Sequence, residues 1–229
     1  MLAFIFFDPL WIVITAPGLL FSIWAQYKVK STFARFSKVG VASGMTGAQA
    51  AAAVVRASGL ANVSIERHQG FLTDHYDPRS KTLRLSPDVY DGRSVSAVAV
   101  AAHEAGHSLQ DAVGYLPLML RSQLVPITQI GARFWIWPFI AGAIFRMPGL
   151  MWVGILFFAA TVLFQIVTLP TEFNASNRAK AVLATTGIVS TQEEAVGVSK
   201  VLDAAAMTYV AALLASILQL LYLVLRARD

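Results

Sequence analysis

The sequence lacks cysteine altogether and has few charged residues. Without cysteine there are no disulfides and no thiolate metal ligands, so any metal site must use histidine, aspartate or glutamate. Charged residues make up 14% of the chain, whereas an ordinary soluble domain has about 25%. Hydrophobic residues make up 56%, and the two proportions together indicate an integral membrane protein.

The sequence also lacks the patterns typical of nucleic-acid binding, although its formal net charge is +5. In membrane proteins, lysine and arginine accumulate in the cytoplasmic loops. This accumulation explains the positive charge without a nucleic-acid partner. The composition therefore predicts a lipid bilayer as the surroundings and no nucleic acid as a partner.

Four segments are predicted to cross the membrane, because a crossing needs about 20 apolar residues. They are residues 2–25, 124–145, 149–169 and 204–225. The first contains Asp8, Pro9 and Pro17, and it lacks the basic start and the cleavage site of a removable signal peptide. The second contains Arg133 and is the least apolar, while the last two contain no charged residue.

The distribution of positive charge predicts the orientation of these segments. Eleven lysines or arginines lie between residues 26 and 132, and three more lie between the third and fourth segments. The opposite side would hold only three arginines. The positive-inside rule therefore predicts that both long loops are cytoplasmic and that the protein lies in the plasma (inner) membrane. With four crossings, the two loops share one face and can build one site.

The loop of residues 26–123 is predicted to fold rather than to act as a linker. Thr46 and Gln49 form a capping box for a helix that reaches Ala57. A second helix is predicted over residues 94–113, between Pro87 and Gly114. Between the two helices, three short segments with the pattern of strands predict a small β-ribbon, namely residues 63–67, 71–76 and 81–85.

The segment after the third crossing is predicted to be helical as well. A separate helix is expected over residues 171–186, after Pro170. Thr191 and Glu194 form a second capping box, which begins the helix that becomes the fourth crossing. The whole chain is then predicted to be one membrane-embedded domain, mostly α-helical, with a small β-ribbon.

The most informative motif is His103-Glu104-Ala105-Gly106-His107, an HExxH pattern inside the predicted helix 94–113. Residues four apart lie on one helical face, so both imidazoles can bind one ion. Glu104 is offset by about 100° and would contact a water on the metal rather than the metal itself. Zinc lowers the pKa of such a water to about 7, and the carboxylate can take its proton during attack on a peptide carbonyl.

A catalytic zinc has three protein ligands and one open position, so a third ligand is needed. Glu172 is favoured because it begins the helix that follows the third crossing, on the required face, and Ala175 and Ala179 leave room for the HExxH helix. An acid at a helix N-terminus is also favoured by the helix dipole alone. His75 is the second choice, and the remaining candidates are His68, Glu66, Glu193, Glu194 and nearby aspartates.

Four stretches of the sequence are distinctive: DPLWIVITAPGLLFSIWAQYKVKST, LTDHYDPRSKTLRLSPDVY, VAVAAHEAGHSLQDAVGY and LPTEFNASNRA. In these stretches the chain resembles the bacterial membrane-bound neutral zinc metallopeptidases (YugP-like), over nearly its whole length. The resemblance implies a membrane-bound endopeptidase that uses one Zn²⁺ to hydrolyse polypeptides. It implies His103 and His107 as metal ligands and Glu104 as the general base.

HEAGH followed by EFNASNRA is more distantly similar to gluzincins of the HtpX and CAAX-prenyl-protease type. Their third ligand is the Glu of an E-x-x-A-D helix, which implies Glu172 as the ligand here. Ser176 stands where those relatives have the Asp. Gluzincins also bind substrate backbone along an edge strand before the HExxH helix, which the resemblance places in residues 72–85. Candidates for contacting the transition state are His75, Arg178 and Tyr209.

Two other functions are compatible with the motif. A site-2-type intramembrane protease also uses HExxH, and Asp203 would then be the third ligand, but the segment around HEAGH is too polar to cross a membrane. A non-catalytic, zinc-stabilised binding module needs no general base and normally has four protein ligands. A transporter is disfavoured because the apolar segments contain almost no ionisable residues.

Overall fold

Helices dominate the structure, a computed structural model that describes residues 8–71 and 73–228. The helices are α1 (Pro9–Phe36), α2 (Gly47–Ala57), α3 (Pro87–Tyr90), α4 (Val95–Ala112), α5 (Leu116–Phe134), α6 (Ile136–Phe145), α7 (Pro148–Thr185) and α8 (Gln192–Arg228). The strands are β1 (Ser64–Arg67), β2 (His75–Asp77) and β3 (Thr82–Leu85). The predicted mostly α-helical fold with a small β element is confirmed.

The chain divides into two compact units, to which α1, α7 and α8 each contribute. The first, called the apolar unit below, comprises the described parts of Met1–Gln26, Leu120–Leu169 and Thr208–Asp229. The second, called the site unit, comprises Tyr27–Met119 and Pro170–Met207.

Three helices of the described chain are long and apolar enough to cross a membrane. They are α1, α7 and α8, with 28, 38 and 37 residues. They contain the predicted crossings 149–169 and 204–225 and residues 9–25 of the first predicted crossing. Residues 2–7 of that crossing lie outside the described residues.

The predicted second crossing, residues 124–145, is not one helix. It is divided between α5 and α6 at Trp135, and α6 has only 10 residues. Pro138 explains the break, because it lies in the first turn of α6, where its missing N–H is tolerated best. The break packs against α7, since a Cβ on Gly154 would lie 2.6 Å from the carbonyl oxygen of Trp135.

The predicted helix start after Pro170 is also wrong. Pro170 lies inside α7, which continues without interruption from Pro148 to Thr185. A proline removes one backbone hydrogen bond and crowds the preceding turn, but long apolar helices tolerate it where neighbouring groups satisfy the freed carbonyl. The segment 171–186 is therefore the end of the helix that contains residues 149–169.

The predicted ribbon is a three-stranded sheet with the order β1-β3-β2. β3 pairs in parallel with β1, where Ile65 lies opposite Leu83, and in antiparallel fashion with β2, where Tyr76 lies opposite Leu83. The predicted strand 71–76 is shortened at its start because Asp74 leaves the ladder. Its carboxylate instead accepts hydrogen bonds from the backbone N–H and the hydroxyl of Ser86. Leu72 lies outside the described residues.

The core of the site unit surrounds α4. Val54 of α2, Leu83 and Leu85 of β3 and Val98 of α4 are fully buried. Burying an aliphatic side chain of this size contributes about 1.5–3 kcal/mol. α4 is thus held on several sides, which fixes the orientation of the HExxH motif that it contains.

Candidate metal centre

α4 begins and ends where the sequence predicts. Ser94 is the N-cap and accepts a hydrogen bond from the backbone N–H of Ala97 at 3.2 Å. The Ser96 hydroxyl, which is buried, donates to the carbonyl of Phe33 on α1 at 2.8 Å. Gly114, with φ +61°, follows the helix in the left-handed region. These contacts set the position of the HExxH residues along the helix.

Gly106 allows α4 and α7 to approach to backbone contact. A Cβ at this position would lie 2.5 Å from the carbonyl oxygen of Ala175, which real structures essentially never show. Ala175 and Ala179 are themselves fully buried, as expected for small residues at a close helix contact. The approach brings the face of α4 with His103 and His107 to the face of α7 with Glu172.

The three donors that the sequence favours come together. Nε2 of His103 lies 3.1 Å from Oε2 of Glu172, and Nε2 of His107 lies 3.6 Å from the same atom. The ligand atoms of the three residues all lie within 4.8 Å of one another. Their side chains are 12%, 7% and 2% exposed in the order His103, His107, Glu172. This is a compact, largely dry group of donors.

The protonation state of Glu172 suits a metal ligand. Burial raises the pKa of its carboxyl, but hydrogen bonds and charges from His103 and His107 lower that pKa by more. The net shift is downward, so the group is an anion at neutral pH.

Each histidine has a partner on its other ring nitrogen. Nδ1 of His103 lies 3.1 Å from the hydroxyl of Ser176, and Nδ1 of His107 lies 3.0 Å from Oε1 of Gln110. Ser176 stands at the position where the resemblance to HtpX-type gluzincins implies an aspartate, and its hydroxyl is the partner of His103 here. Partners of this kind orient the rings of metal-binding histidines.

Gln110, which the sequence analysis missed, fixes the tautomer of His107. Its side-chain nitrogen donates to the carbonyl of Thr171 at 2.8 Å and to the side-chain oxygen of Asn174 at 3.0 Å. A backbone carbonyl only accepts, so the oxygen of the Gln110 amide must face His107. Nδ1 of His107 then carries a proton, so Nε2 is the ring nitrogen that can bind a metal. The feature of the sequence that could have indicated this role is the position of Gln110, three residues after His107 on the same helical face.

We expect Gln110→Leu to weaken zinc binding by about 10–100-fold, the usual effect of removing such a partner. Gln110→Glu keeps an acceptor for Nδ1 of His107 and should retain more of the affinity. Competition with a chromophoric chelator measures the zinc affinity of both variants, and thermal unfolding without zinc checks that they fold. Wild-type affinity in Gln110→Leu would contradict the role assigned to this side chain.

His75, Arg178 and Tyr209 are not members of the donor group. His75 is outside the donor group; its Nδ1 donates to the carbonyl of Thr73 at 2.8 Å, and its ring lies 5.6 Å from that of His68. Nε of Arg178 donates to Asn174 at 2.8 Å, which links it to Gln110. Tyr209 belongs to the apolar unit.

The remaining candidates for the third ligand have other surroundings. The carboxylate of Glu66 lies 3.7 Å from Arg84, and that of Glu194 accepts from three backbone N–H groups. Asp203, the ligand expected for a site-2-type protease, pairs with Lys180 at 2.8 Å.

A strand edge lies beside α4, the helix that contains the HExxH motif. The hydroxyl of Tyr76 on β2 donates to Asp111 near the end of α4 at 2.7 Å. Burial and this hydrogen bond raise the pKa of Tyr76, so it remains a neutral donor. β2 pairs with β3 on one side and is a terminal strand of the sheet. The segment KTLRL, by contrast, contains the central strand and offers no free edge.

Comparison with known proteins agrees with this geometry. Residues 11–228 match the family described as "Putative neutral zinc metallopeptidase", and the chain belongs to that family. It is 46% identical to "Putative membrane protease YugP" of Bacillus subtilis (strain 168), over 216 residues. The match covers 94% of this chain and 96% of the relative. No solved structure matches.

Proposed function

We propose that this protein is a zinc-dependent, membrane-bound endopeptidase of the gluzincin type, working as a single metallopeptidase domain. The observation that carries the proposal is the group formed by His103, His107 and Glu172. The group lies on the HExxH helix and on α7, and Nδ1 of each histidine has a hydrogen-bond partner. Family membership supports the same assignment.

The donor group fits one zinc ion. Ligands at about 2.1 Å in a tetrahedral site are separated from one another by about 3.4 Å. The measured separations from Oε2 of Glu172 are 3.1 and 3.6 Å. The group within the described residues contains three donors, which is the number found in catalytic zinc sites rather than the four of structural ones.

Glu104 is assigned as the general base. It is buried and lies one residue after His103, so it faces the position beside the metal rather than the metal itself. Zinc bound here would supply the Lewis acidity that makes water a nucleophile near neutral pH. Glu104 accepts the proton of the attacking water and later delivers it to the leaving amine.

Substrate and transition-state contacts are proposed for neighbouring groups. An extended polypeptide would add to the free edge of β2 through backbone hydrogen bonds, which are tolerant of sequence. Tyr76 connects this strand to α4. His75 and Arg178 of the site unit remain the candidates for contacting the developing oxyanion.

We also propose four membrane crossings, with the site in the cytoplasm and the protein in the plasma membrane. If α1, α7 and α8 were the only crossings, residues 27–119 and 170–207 would lie on opposite sides. His103 and Glu172 belong to these two segments and are 3.1 Å apart. An even number of crossings must therefore connect them, and α5 with α6 supplies the second as a broken helix. A broken crossing is tolerated where protein covers the break. Here α7 covers it, because the backbone at Gly154 lies against Trp135.

The orientation leads to a prediction for Lys81, which is exposed and lies next to β3. A Lys81→Cys variant should resist a membrane-impermeant thiol reagent in intact cells and react after the cells are opened, because the lysine- and arginine-rich loops face the cytoplasm. The wild type has no cysteine and gives the background. Rapid labelling in intact cells would show that the proposed orientation is wrong. It would not contradict the proposal that residues 27–119 and 170–207 lie on the same side of the membrane.

Metal removal tests the proposed activity. Purified protein should contain one zinc ion per chain, hydrolyse casein, lose at least about 10²-fold in rate with a strong chelator, and recover with one equivalent of zinc. Full activity in protein shown to be metal-free would contradict the proposal. A binding module would bind zinc and cut nothing, whereas a site-2-type protease would cut only inside a membrane-spanning helix.

A further inference from the structure

The donor Glu172 lies immediately beyond an uncharged stretch of α7. Residues 149–169 contain no charged side chain, and α7 continues through Pro170 without a break. Glu172 follows three residues after Leu169, a rise of about 4.5 Å along a helix. Even a fully extended chain would place it no more than about 11 Å away. This limit follows from chain connectivity alone.

The other end of the site is also close to apolar surface. α4 ends five residues after His107, and three exposed apolar residues follow, Val113, Leu116 and Met119, which are 63%, 62% and 46% exposed. Val113 lies about 9 Å along the helix direction from His107. These residues directly precede Leu120, where the apolar unit resumes, and the proposed second crossing begins four residues later, at residue 124. Exposed apolar patches of this kind, continuous with a crossing, are suited to lipid contact.

From these two distances we infer that the metal centre acts at the bilayer surface and cuts membrane-anchored polypeptides in the short segment next to their anchor. The inference rests on the proposed peptidase function and adds its substrate class. An extended chain advances about 3.4 Å per residue. A chain leaving the bilayer therefore reaches the depth of Glu172 within a few residues. A segment held far from the membrane does not.

A pair of anchored substrates tests this depth. Both contain one hydrophobic helix, one unstructured segment and one rigid spacer of about 20 residues of EAAAK repeats, which is about 30 Å long where helical. In the near substrate the unstructured segment follows the anchor directly, with the spacer beyond it. In the far substrate the spacer lies between the anchor and the segment. The two have identical composition, and the full-length zinc-loaded protein is reconstituted with each in liposomes.

We expect the near substrate to be cut at least 10-fold faster, with mass spectrometry placing the cuts in about the first ten residues after the anchor. Equal rates, or cuts spread evenly along the segment, would overturn the inference. Casein distinguishes this failure from a failure of the peptidase function. If casein is hydrolysed and the near and far substrates are cut at equal rates, only the inferred position at the bilayer surface is rejected. Hydrolysis of none of them by protein with one zinc per chain rejects the peptidase function, and the inference with it.

Discussion

A Glu104→Gln variant is expected to bind one zinc ion per chain and to hydrolyse peptide bonds at least about 10²-fold more slowly than the wild type. Glutamine keeps the size and most of the hydrogen bonding of the buried Glu104 but cannot accept a proton. The donors on His103, His107 and Glu172 are unchanged, so metal affinity should change little. Elemental analysis and a casein assay on the same preparation measure the two effects.

The control for this variant is Glu193→Gln, which removes the same charge from an exposed position in the first turn of α8. It should retain both zinc and activity. Loss of zinc in Glu104→Gln would show that Glu104 holds the metal or its ligands. Retention of wild-type activity would remove the general-base role and leave the metal centre without an assigned proton acceptor.

The local features of the fold were predicted correctly because their causes are local. Thr46 and Gln49 form the complete capping box at the start of α2. Thr191 and Glu194 exchange the same pair of hydrogen bonds at the start of α8. Ser94 caps the helix of the HExxH motif. In each case, side chains within three residues of each other satisfy the free N–H groups of a helix end.

The features that the sequence did not reveal, or for which it gave a wrong prediction, depend on distant parts of the chain or on a local break. The position of β3 between β1 and β2 depends on a parallel pairing with residues about 18 positions earlier, which alternation does not reveal. An apolar run of the length of 124–145 suggested one helix, although Pro138 divides it. Pro170 had the opposite effect, because a helix end was predicted where α7 continues.

In the candidate site, too, the features with local causes could be predicted and those that depend on distant residues could not. The spacing of His103 and His107 places both on one helical face, which sequence alone establishes. The choice of Glu172 among several acids needed an argument about crossings and small residues, and the structure brings its carboxylate to both histidines. Gln110 was missed because its partners on α7 are about 60 positions away along the chain. Its role becomes visible only when the contact at Gly106 places α7 against α4.

Glu172→Gln is expected to lose zinc at chelator concentrations that leave the wild type loaded, and hydrolysis should fall with the metal. The side chain keeps its shape and an amide oxygen that accepts a hydrogen bond from His103, but it is no longer an anion. A neutral amide is a much poorer zinc ligand than a carboxylate. The comparison is again with Glu193→Gln, which should retain its zinc.

Thermal unfolding with and without zinc separates a metal ligand from a structural residue. A ligand that binds only the folded state stabilises it by about 2.7 kcal/mol at a concentration 100 times its Kd. Zinc should therefore raise the Tm of the wild type and of Glu193→Gln but not that of Glu172→Gln. Without zinc, Glu172→Gln should unfold below the wild-type temperature, because the substitution removes the charged partner of His103 and His107, so the diagnostic quantity is the rise in Tm that zinc produces in each protein. If Glu172 had a purely structural role, the variant would instead have a lower Tm both with and without zinc, and by the same amount. Full zinc content and full activity in Glu172→Gln would reject it as the third ligand, and that role would then pass to His75.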